Sequence, residues 1–403
     1  MKLNRWFYAV TGVLVLVFAG LVYAWSVLAT PVAAYYTEWT GAQLSLTFTI
    51  CMIFFCLGGL AAGLLSGKTN VKWNMAAAAI LFLAGFFLAS KAETVTVLYL
   101  GYGVLAGTAA GIAYNSVMST VSGYFPDKPG LISGILLMGF GMGSFLIGKV
   151  YQAYTGPGEG FRSSFRVFGM ILFVVMLVCS LFLRKPEPEE MKRFLPGGEK
   201  EGKSKIQEWD DFTASQMLGR RSFWLYFAWA TLLSAAGLAL ISQASAVTLQ
   251  VHPAAAAGTV STSVGLISIF NGCGRVIFGG MFDRIGRKKT MVLIEVTYAA
   301  AMILLISSLK CENFVILICG FVVMGLAYGG VTPTNSAFVS TFYGKKHYAV
   351  NFPMINLNLL IASFGSTIAG VLYDASGSYF STFLFMLAAV AVGSVCETVI
   401  RKP

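Results

Sequence analysis

An all-α membrane protein, with twelve transmembrane helices in two six-helix bundles, is the fold class the sequence predicts. Three observations predict it. Of the 403 residues, 57% are hydrophobic and only 11% charged, against about a quarter charged in a soluble chain. Mean hydropathy is +0.76, and apolar runs of the roughly 20 residues needed to cross a bilayer fill nearly the whole length. A single long polar stretch then divides these runs into two sets of six.

The spans are read at 5–30, 41–66, 73–90, 94–123, 129–155 and 163–184, then at 221–250, 256–281, 289–309, 312–343, 346–375 and 378–400. The first follows Met-Lys-Leu-Asn-Arg without a small-residue cleavage site, so it is expected as a retained helix and not a signal peptide. The fourth carries GVLAGTAAGIAYNS and the tenth GFVVMGLAYGGVTPTNS, both glycine-rich and both ending in Asn-Ser. Small residues at such spacing let helix backbones approach closely. Asn115 and Asn335 lie more than half the chain apart, as two parallel six-span repeats require. Residues 185–220 (KPEPEEMKRFLPGGEKEGKSKIQEWDD and onward) are rich in Pro, Glu, Lys and Gly, the composition of a flexible or partly helical linker. The expected division is therefore 1–184, a linker at 185–220, and 221–403.

The net charge of +11 does not point to nucleic acid, because most of the 28 Lys and Arg residues sit in short loops and in the linker. Lys2, Arg5, Lys68, Lys72, Lys128, the linker cations, Arg284, Arg287, Lys288, Lys289, Lys345, Lys346, Arg401 and Lys402 fall on one side when both termini are placed inside. Only Lys91, Lys149, Arg162, Arg166 and Lys310 fall on the other. Positive loops stay in the cytoplasm, so both termini and the linker are expected there. Compact loops and short termini suggest a prokaryotic inner membrane, and a monomer is expected. The seven cysteines (Cys51, Cys56, Cys179, Cys273, Cys311, Cys319, Cys396) show no metal-ligand spacing and are expected as small buried residues. No metal or cofactor is expected.

The run Gly279-Gly-Met-Phe-Asp283-Arg284-Ile-Gly286-Arg287-Lys288-Lys289 resembles the G-x-x-x-D-R-x-G-R-[RK] loop of the major facilitator superfamily. Its first-half counterpart, Gly63-Leu-Leu-Ser-Gly67-Lys68-Thr-Asn-Val-Lys72, has lost the acid and most of the arginines. Within that superfamily the chain looks most like the monocarboxylate transporter and oxalate/formate antiporter group. The resemblance is carried by Asn4-Arg-Trp-Phe-Tyr8, Tyr23-Ala-Trp25, Tyr124-Phe-Pro-Asp-Lys128-Pro-Gly-Leu-Ile-Ser-Gly134 and Phe270-Asn271-Gly-Cys-Gly-Arg275. It implies a transporter that works by alternating access, with Asp283, Arg284, Arg287 and Lys128 in a cytoplasmic gate.

Arg275 is the central candidate. A charge at mid-membrane costs at least about 2.5–3.5 kcal/mol even on insertion scales, and usually marks a substrate path. Arginine stays protonated and its planar fork matches a carboxylate. The acids Glu38, Glu93, Asp127, Glu159, Glu295, Glu312, Asp374 and Glu397 fall near span ends, so a carboxylate at its depth is expected from a substrate. The oxalate antiporter implies a second cation, a lysine in the eleventh span; here that span reads Asn351-Phe-Pro-Met-Ile-Asn356-Leu-Asn358, with no Lys, Arg or His. One fixed charge suits a monocarboxylate, since an unmatched second carboxylate is costly to bury, and the bulky residues available to fill a cavity suit an acid of two to four carbons. Animal-type monocarboxylate transporters place an aspartate one turn before this arginine, where Asn271 stands, and a lysine in the first span, which has no charge beyond Arg5.

Around Arg275 the expected lining is Tyr114 and Asn115, Asn271, Tyr328 and Asn335, and Asn356 and Asn358, with Leu28 and Phe352 pressing on a short carbon chain. A proton is expected to travel with the anion, because an anion alone against an inside-negative potential costs about 2.3 kcal/mol per 100 mV. The proton is expected to move at Arg275, or through His252, whose type titrates near neutrality. L-lactate is the substrate that the resemblance favours. The alternatives are an organic-anion exchanger of the oxalate/formate type and, in another class, a membrane sensor of carboxylates. Enzyme chemistry is not indicated: there is no Gly-x-Ser-x-Gly elbow, His/Glu metal cluster or phosphate loop. Gly139-Phe-Gly141-Met-Gly143 lies inside a span and reads as helix packing.

Overall fold

The computed structural model describes residues 4–187, 189–190 and 211–402. The centre of the polar linker, 191–210, with Lys192, Arg193, Lys200, Lys203 and Lys205, lies outside the described residues, as does Lys2. Helices form at every predicted span. They are α1 (Arg5–Tyr35), α2 (Gly41–Leu65), α3 (Val71–Ser90), α4 (Val95–Ser122), α5 (Pro129–Tyr154), α6 (Gly160–Phe182) and α7 (Arg221–Val251). Next comes a continuous helical run, Ala257–Cys311, of 55 residues. At 1.5 Å per residue that is roughly 80 Å, far more than one crossing of a ~30 Å hydrocarbon core needs.

Gly286 resolves this. Its backbone (φ 80°, ψ 170°) leaves the helical region, in a conformation that glycine alone adopts without strain. The run is therefore two spans, α8 before Gly286 and α9 after it. The remaining helices are α10 (Phe314–Phe342), α11 (Tyr348–Ser376) and α12 (Phe380–Val399). Twelve spans result, among the described residues, from eleven helices of membrane-crossing length.

Some helix starts are capped by side chains. Thr40 and Gln43 form a reciprocal capping box at the start of α2, and the Asn313 side chain accepts from the Val315 and Ile316 amides at the start of α10. Such caps satisfy amides that would otherwise be orphaned. Irregular backbone occurs inside the spans. There is a 3₁₀ turn at Gly20–Ala24 in α1, a π stretch at Tyr99–Ala106 in α4, and interruptions at Leu357 and Ser363 in α11.

The described residues form two compact units. Unit 1 comprises Met1–Asp127, Gly139–Glu208 and Tyr348–Met354; unit 2 comprises Lys128–Met138, Trp209–His347 and Ile355–Pro403. The first turns of α5 thus belong to unit 2, and the first turns of α11 to unit 1. In these two exchanges the units depart from a simple division between 1–184 and 221–403.

In unit 1, α2 and α4 meet backbone to backbone, and a Cβ on Gly111 would collide with the Phe55 carbonyl. Two buried polar tips reach carbonyls: Trp25 Nε1 donates to Leu44 O at 2.7 Å and Tyr102 OH to Val22 O at 2.9 Å. In unit 2, Tyr298 OH donates to Leu233 O at 2.8 Å. The outer surface is apolar, with Val315 69%, Leu181 67% and Phe364 65% exposed, which suits lipid and not water. Cys51, Cys56 and Cys179 are buried as expected, but Cys273, Cys311 and Cys319 are exposed. A thiol is apolar enough to sit on such a surface, so burial is not required of it.

Gly111→Val is expected to lower the midpoint of thermal unfolding in detergent, by the equivalent of about 1–3 kcal/mol of overpacking. Gly67→Val, at a position with open space around it, should stay within about 0.5 kcal/mol of the native protein.

Candidate functional site

Arg275 lies on α8 eleven residues before Gly286, roughly 16 Å along the helix axis, which puts it within the hydrocarbon depth of a span. Its side chain is half-buried. Asn271, one turn earlier on the same face, is 7% exposed and accepts from Arg275 Nε at 3.0 Å. Arg275 Nη1 donates to the Leu137 carbonyl of α5. That second bond depends on close helix packing. A Cβ on Gly134 of α5 would collide with the Arg275 carbonyl, and one on Gly329 of α10 with the Asn271 carbonyl. Glycine on both neighbouring helices therefore clamps the backbone of α8 at the arginine and fixes the base of the guanidinium.

Two turns further along α8, the Asp283 carboxylate accepts from the Gly130 amide at 2.8 Å and the Leu131 amide at 2.7 Å. These are first-turn donors of α5, where unsatisfied N–H groups and the helix dipole both favour a negative charge. Asp283 thus caps a neighbouring helix. Arg284 and Lys128 are exposed. Arg287 faces Glu397 at 3.4 Å, donates to Ile400 O at 3.3 Å, and lies 5.6 Å from the Phe342 ring centroid.

The other candidates fall into smaller groups. In unit 1, the Tyr114 and Phe352 rings stack with centroids 5.9 Å apart, and Phe55 and Phe140 each lie 5.2 Å from Tyr114. Asn115 Nδ2 donates to Gly59 O at 2.8 Å and Ala349 O at 2.9 Å, while its buried Oδ1 has no hydrogen-bond partner among the described residues. Leu28 is fully buried. In unit 2, Asn335 accepts from Tyr226 OH at 3.0 Å and donates to Asn356 Oδ1 at 3.5 Å. Asn358 donates to Ser234 Oγ at 3.5 Å. Tyr328 is half-buried, its ring lying where a Cβ on Gly237 would go.

The structure therefore brings together Arg275 with Asn271, Tyr114 with Phe352, and Asn335 with Asn356. His252 stands apart: it is exposed at the end of α7, with its ring 5.4 Å from that of Phe314. Arg275 is eighteen residues into the helix that follows, roughly 27 Å along its axis.

Sequence reasoning missed three features. The Leu137 carbonyl leaves no side-chain signal, although Gly130 and Gly134, one turn apart, marked α5 as a helix built for close approach. The amides that Asp283 caps were likewise invisible. Glu295, read as an acid near a span end, lies roughly 13 Å along α9 from Gly286. It is 7% exposed and accepts from Trp229 Nε1 at 2.7 Å. A Glu inside the apolar run Met-Val-Leu-Ile-Glu295-Val was the available clue. Among the described residues no cluster of His, Cys, Asp or Glu is arranged to hold a metal ion.

Helices of spanning length around a guanidinium held at mid-span are the anatomy of a multi-pass membrane carrier. The chain belongs to the Major Facilitator Superfamily, whose pattern matches residues 10–359, and it is accordingly a membrane transporter and not an enzyme. It is similar to the oxalate:formate antiporter of Oxalobacter formigenes, 28% identical over 356 residues that cover 86% of this chain and 80% of the relative. It is also similar to monocarboxylate transporter 13 of Rattus norvegicus, 22% identical over 363 residues covering 89% and 79% of the two chains. A superfamily proton:xylose symporter, solved with 6-bromo-6-deoxy-D-glucose bound, superposes with a TM-score of 0.74 at 13% identity, covering 99% of this chain and 97% of that one. At that identity the likeness speaks for the fold alone.

Asp283→Asn is expected to weaken the cap by about 1 kcal/mol, because it loses the charge–dipole term and keeps one acceptor oxygen for two amides, and Asp283→Ala by more, since Gly130 and Leu131 then both lose their acceptor. Hydrogen–deuterium exchange at those two amides reads this directly: protection should fall in the order native, Asn, Ala.

Proposed function

We propose that this transporter moves a small monocarboxylate, L-lactate or a similar short acid, together with a proton by alternating access. The observation that carries the proposal is Arg275, a guanidinium at mid-span braced by the Asn271 amide and a main-chain carbonyl. That bracing orients the fork, and an oriented fork recognises a carboxylate by two parallel hydrogen bonds. One such cation in α8, and no Lys, Arg or His in α11, favours a substrate with one negative charge. Similarity to a monocarboxylate transporter over most of both chains supports the substrate class.

In this proposal the six-helix halves 1–184 and 221–403, joined by the linker 185–220, rock about the substrate. Asn271, Asn115, Tyr114, Tyr328, Asn335, Asn356 and Asn358 supply polar contacts, and Leu28 and Phe352 apolar ones. Asp283, Arg284, Arg287 and Lys128 form the cytoplasmic gate. The proton moves with the carboxylate at Arg275, and His252 serves as a proton relay toward the outer side. The protein works as a monomer in the inner membrane with both termini in the cytoplasm, an orientation supported by the placement of its Lys and Arg residues.

A second reading, exchange of one organic anion for another, is favoured by the similarity to the oxalate:formate antiporter over 86% of this chain. One experiment separates the two: uptake of labelled L-lactate into proteoliposomes, with and without an inward proton gradient. Gradient-driven accumulation is expected for the native protein and none for Arg275→Ala. Arg275→Lys keeps the charge but loses the fork, and should slow uptake on the order of tenfold, about 1.4 kcal/mol. Uptake that ignores pH and needs an internal counter-anion would replace symport with exchange. No uptake in either condition would remove the lactate assignment.

A further inference from the structure

The helices of unit 1 enclose a polar recess, separate from Arg275, at the point where the linker leaves α6. It holds about 210 Å³ of empty space, part of it open to the surface, and is lined by Ser66, Thr69, Asn74, Ser116, Thr120 and Lys185 among others. The usable space within it is of the size of about one water molecule.

Two of its walls are chemically unfinished. Ser116 is 4% and Thr120 1% exposed, yet neither hydroxyl has a hydrogen-bond partner among the described residues. Helical Ser and Thr commonly satisfy themselves on a carbonyl one turn back, as Ser119 does on Asn115 O at 2.7 Å. Ser116 and Thr120, one turn apart on α4, both face the recess instead. The Asn74 Oδ1 is already taken by the Thr69 hydroxyl at 2.9 Å. Among the described residues Lys185 brings the only charge in the lining, its Nζ donating to the Ser66 carbonyl. An ammonium and hydroxyl donors, with no carboxylate among the described lining residues, select an anion over a cation.

We propose that this recess is a binding site for a single halide-sized inorganic anion, held by the Ser116 and Thr120 hydroxyls and the Lys185 ammonium. Its place in the chain gives it a role. Arg184, the residue before Lys185, bonds Glu190 at 2.9 and 2.7 Å and the Tyr8 hydroxyl at 3.1 Å. The start of the linker is thus tied down on one side by Arg184, and the anion ties it on the other, joining Lys185 to α4. The site does not depend on which acid the transporter carries.

The test is the thermal midpoint of the purified full-length protein in sodium chloride against sodium gluconate at equal ionic strength, for native, Thr120→Val and Lys185→Gln. Equal ionic strength removes general screening, and a ligand that binds only the folded state raises the midpoint in a saturating way. The native protein should gain a few degrees in chloride, and bromide should act alike. Both variants should lose that gain. In gluconate Thr120→Val should melt no lower than native, because it removes an unpartnered hydroxyl. Bromide-soaked crystals should show anomalous density beside Thr120. A native protein indifferent to chloride, a gain that survives in both variants, or bromide density only elsewhere would overturn the proposal.

Discussion

A guanidinium inside a bilayer-spanning helix must find its hydrogen-bond acceptors within the protein, because hydrocarbon supplies none. Arg275 finds one on its own helix, Asn271 Oδ1, and one on α5, the Leu137 carbonyl. The second bond is available only if α5 lies against α8 at backbone distance. Gly134 permits that approach, and Gly329 permits the same on the side of α10. Asp283 then secures the end of α5 through its first free amides. The need to hold one cation within a span thus goes with glycine on two neighbouring helices and with an acid two turns away.

Unit 1 follows the same packing logic with no charge at its centre. Lipid offers no hydrophobic drive for helices to associate, so close contact and interhelical hydrogen bonds hold them. The Asn115 amide, bonded to carbonyls at Gly59 and Ala349, is such a bond, and the stacked rings around Tyr114 fill the neighbouring volume. A polar side chain in a membrane protein can therefore serve the bundle and a ligand with the same atoms. Asn335, bonded to both Tyr226 and Asn356, shows why residue type alone does not separate the two roles.

Much of the architecture was legible in the sequence because a bilayer imposes a length. Every span had to be an apolar run of about twenty residues. Arg275 was legible for the same reason, as a charge where charges are expensive. What stayed hidden depends on three-dimensional register. The join of α8 to α9 through Gly286 is a matter of backbone angles, and the depth of Glu295 follows from where that join falls. The carbonyl of Leu137 and the amides of Gly130 and Leu131 belong to the main chain, which every residue has and no motif announces. The exchanges of α5 and α11 between units arise from packing between distant segments, beyond the reach of hydropathy.

Those exchanges bear on how the molecule is assembled at the ribosome. Unit 2 contains Lys128–Met138, made long before the rest of it, and unit 1 contains Tyr348–Met354, made long after. The first half therefore leaves synthesis with one stretch of α5 still without its eventual neighbours, and waits for a late stretch of α11 to complete its own packing. Severing the polypeptide within the linker would yield two fragments, each lacking a piece of its own unit and each carrying a piece of the other's. Such fragments would have to be produced together to restore a native protein, as complementary strangers rather than independent domains.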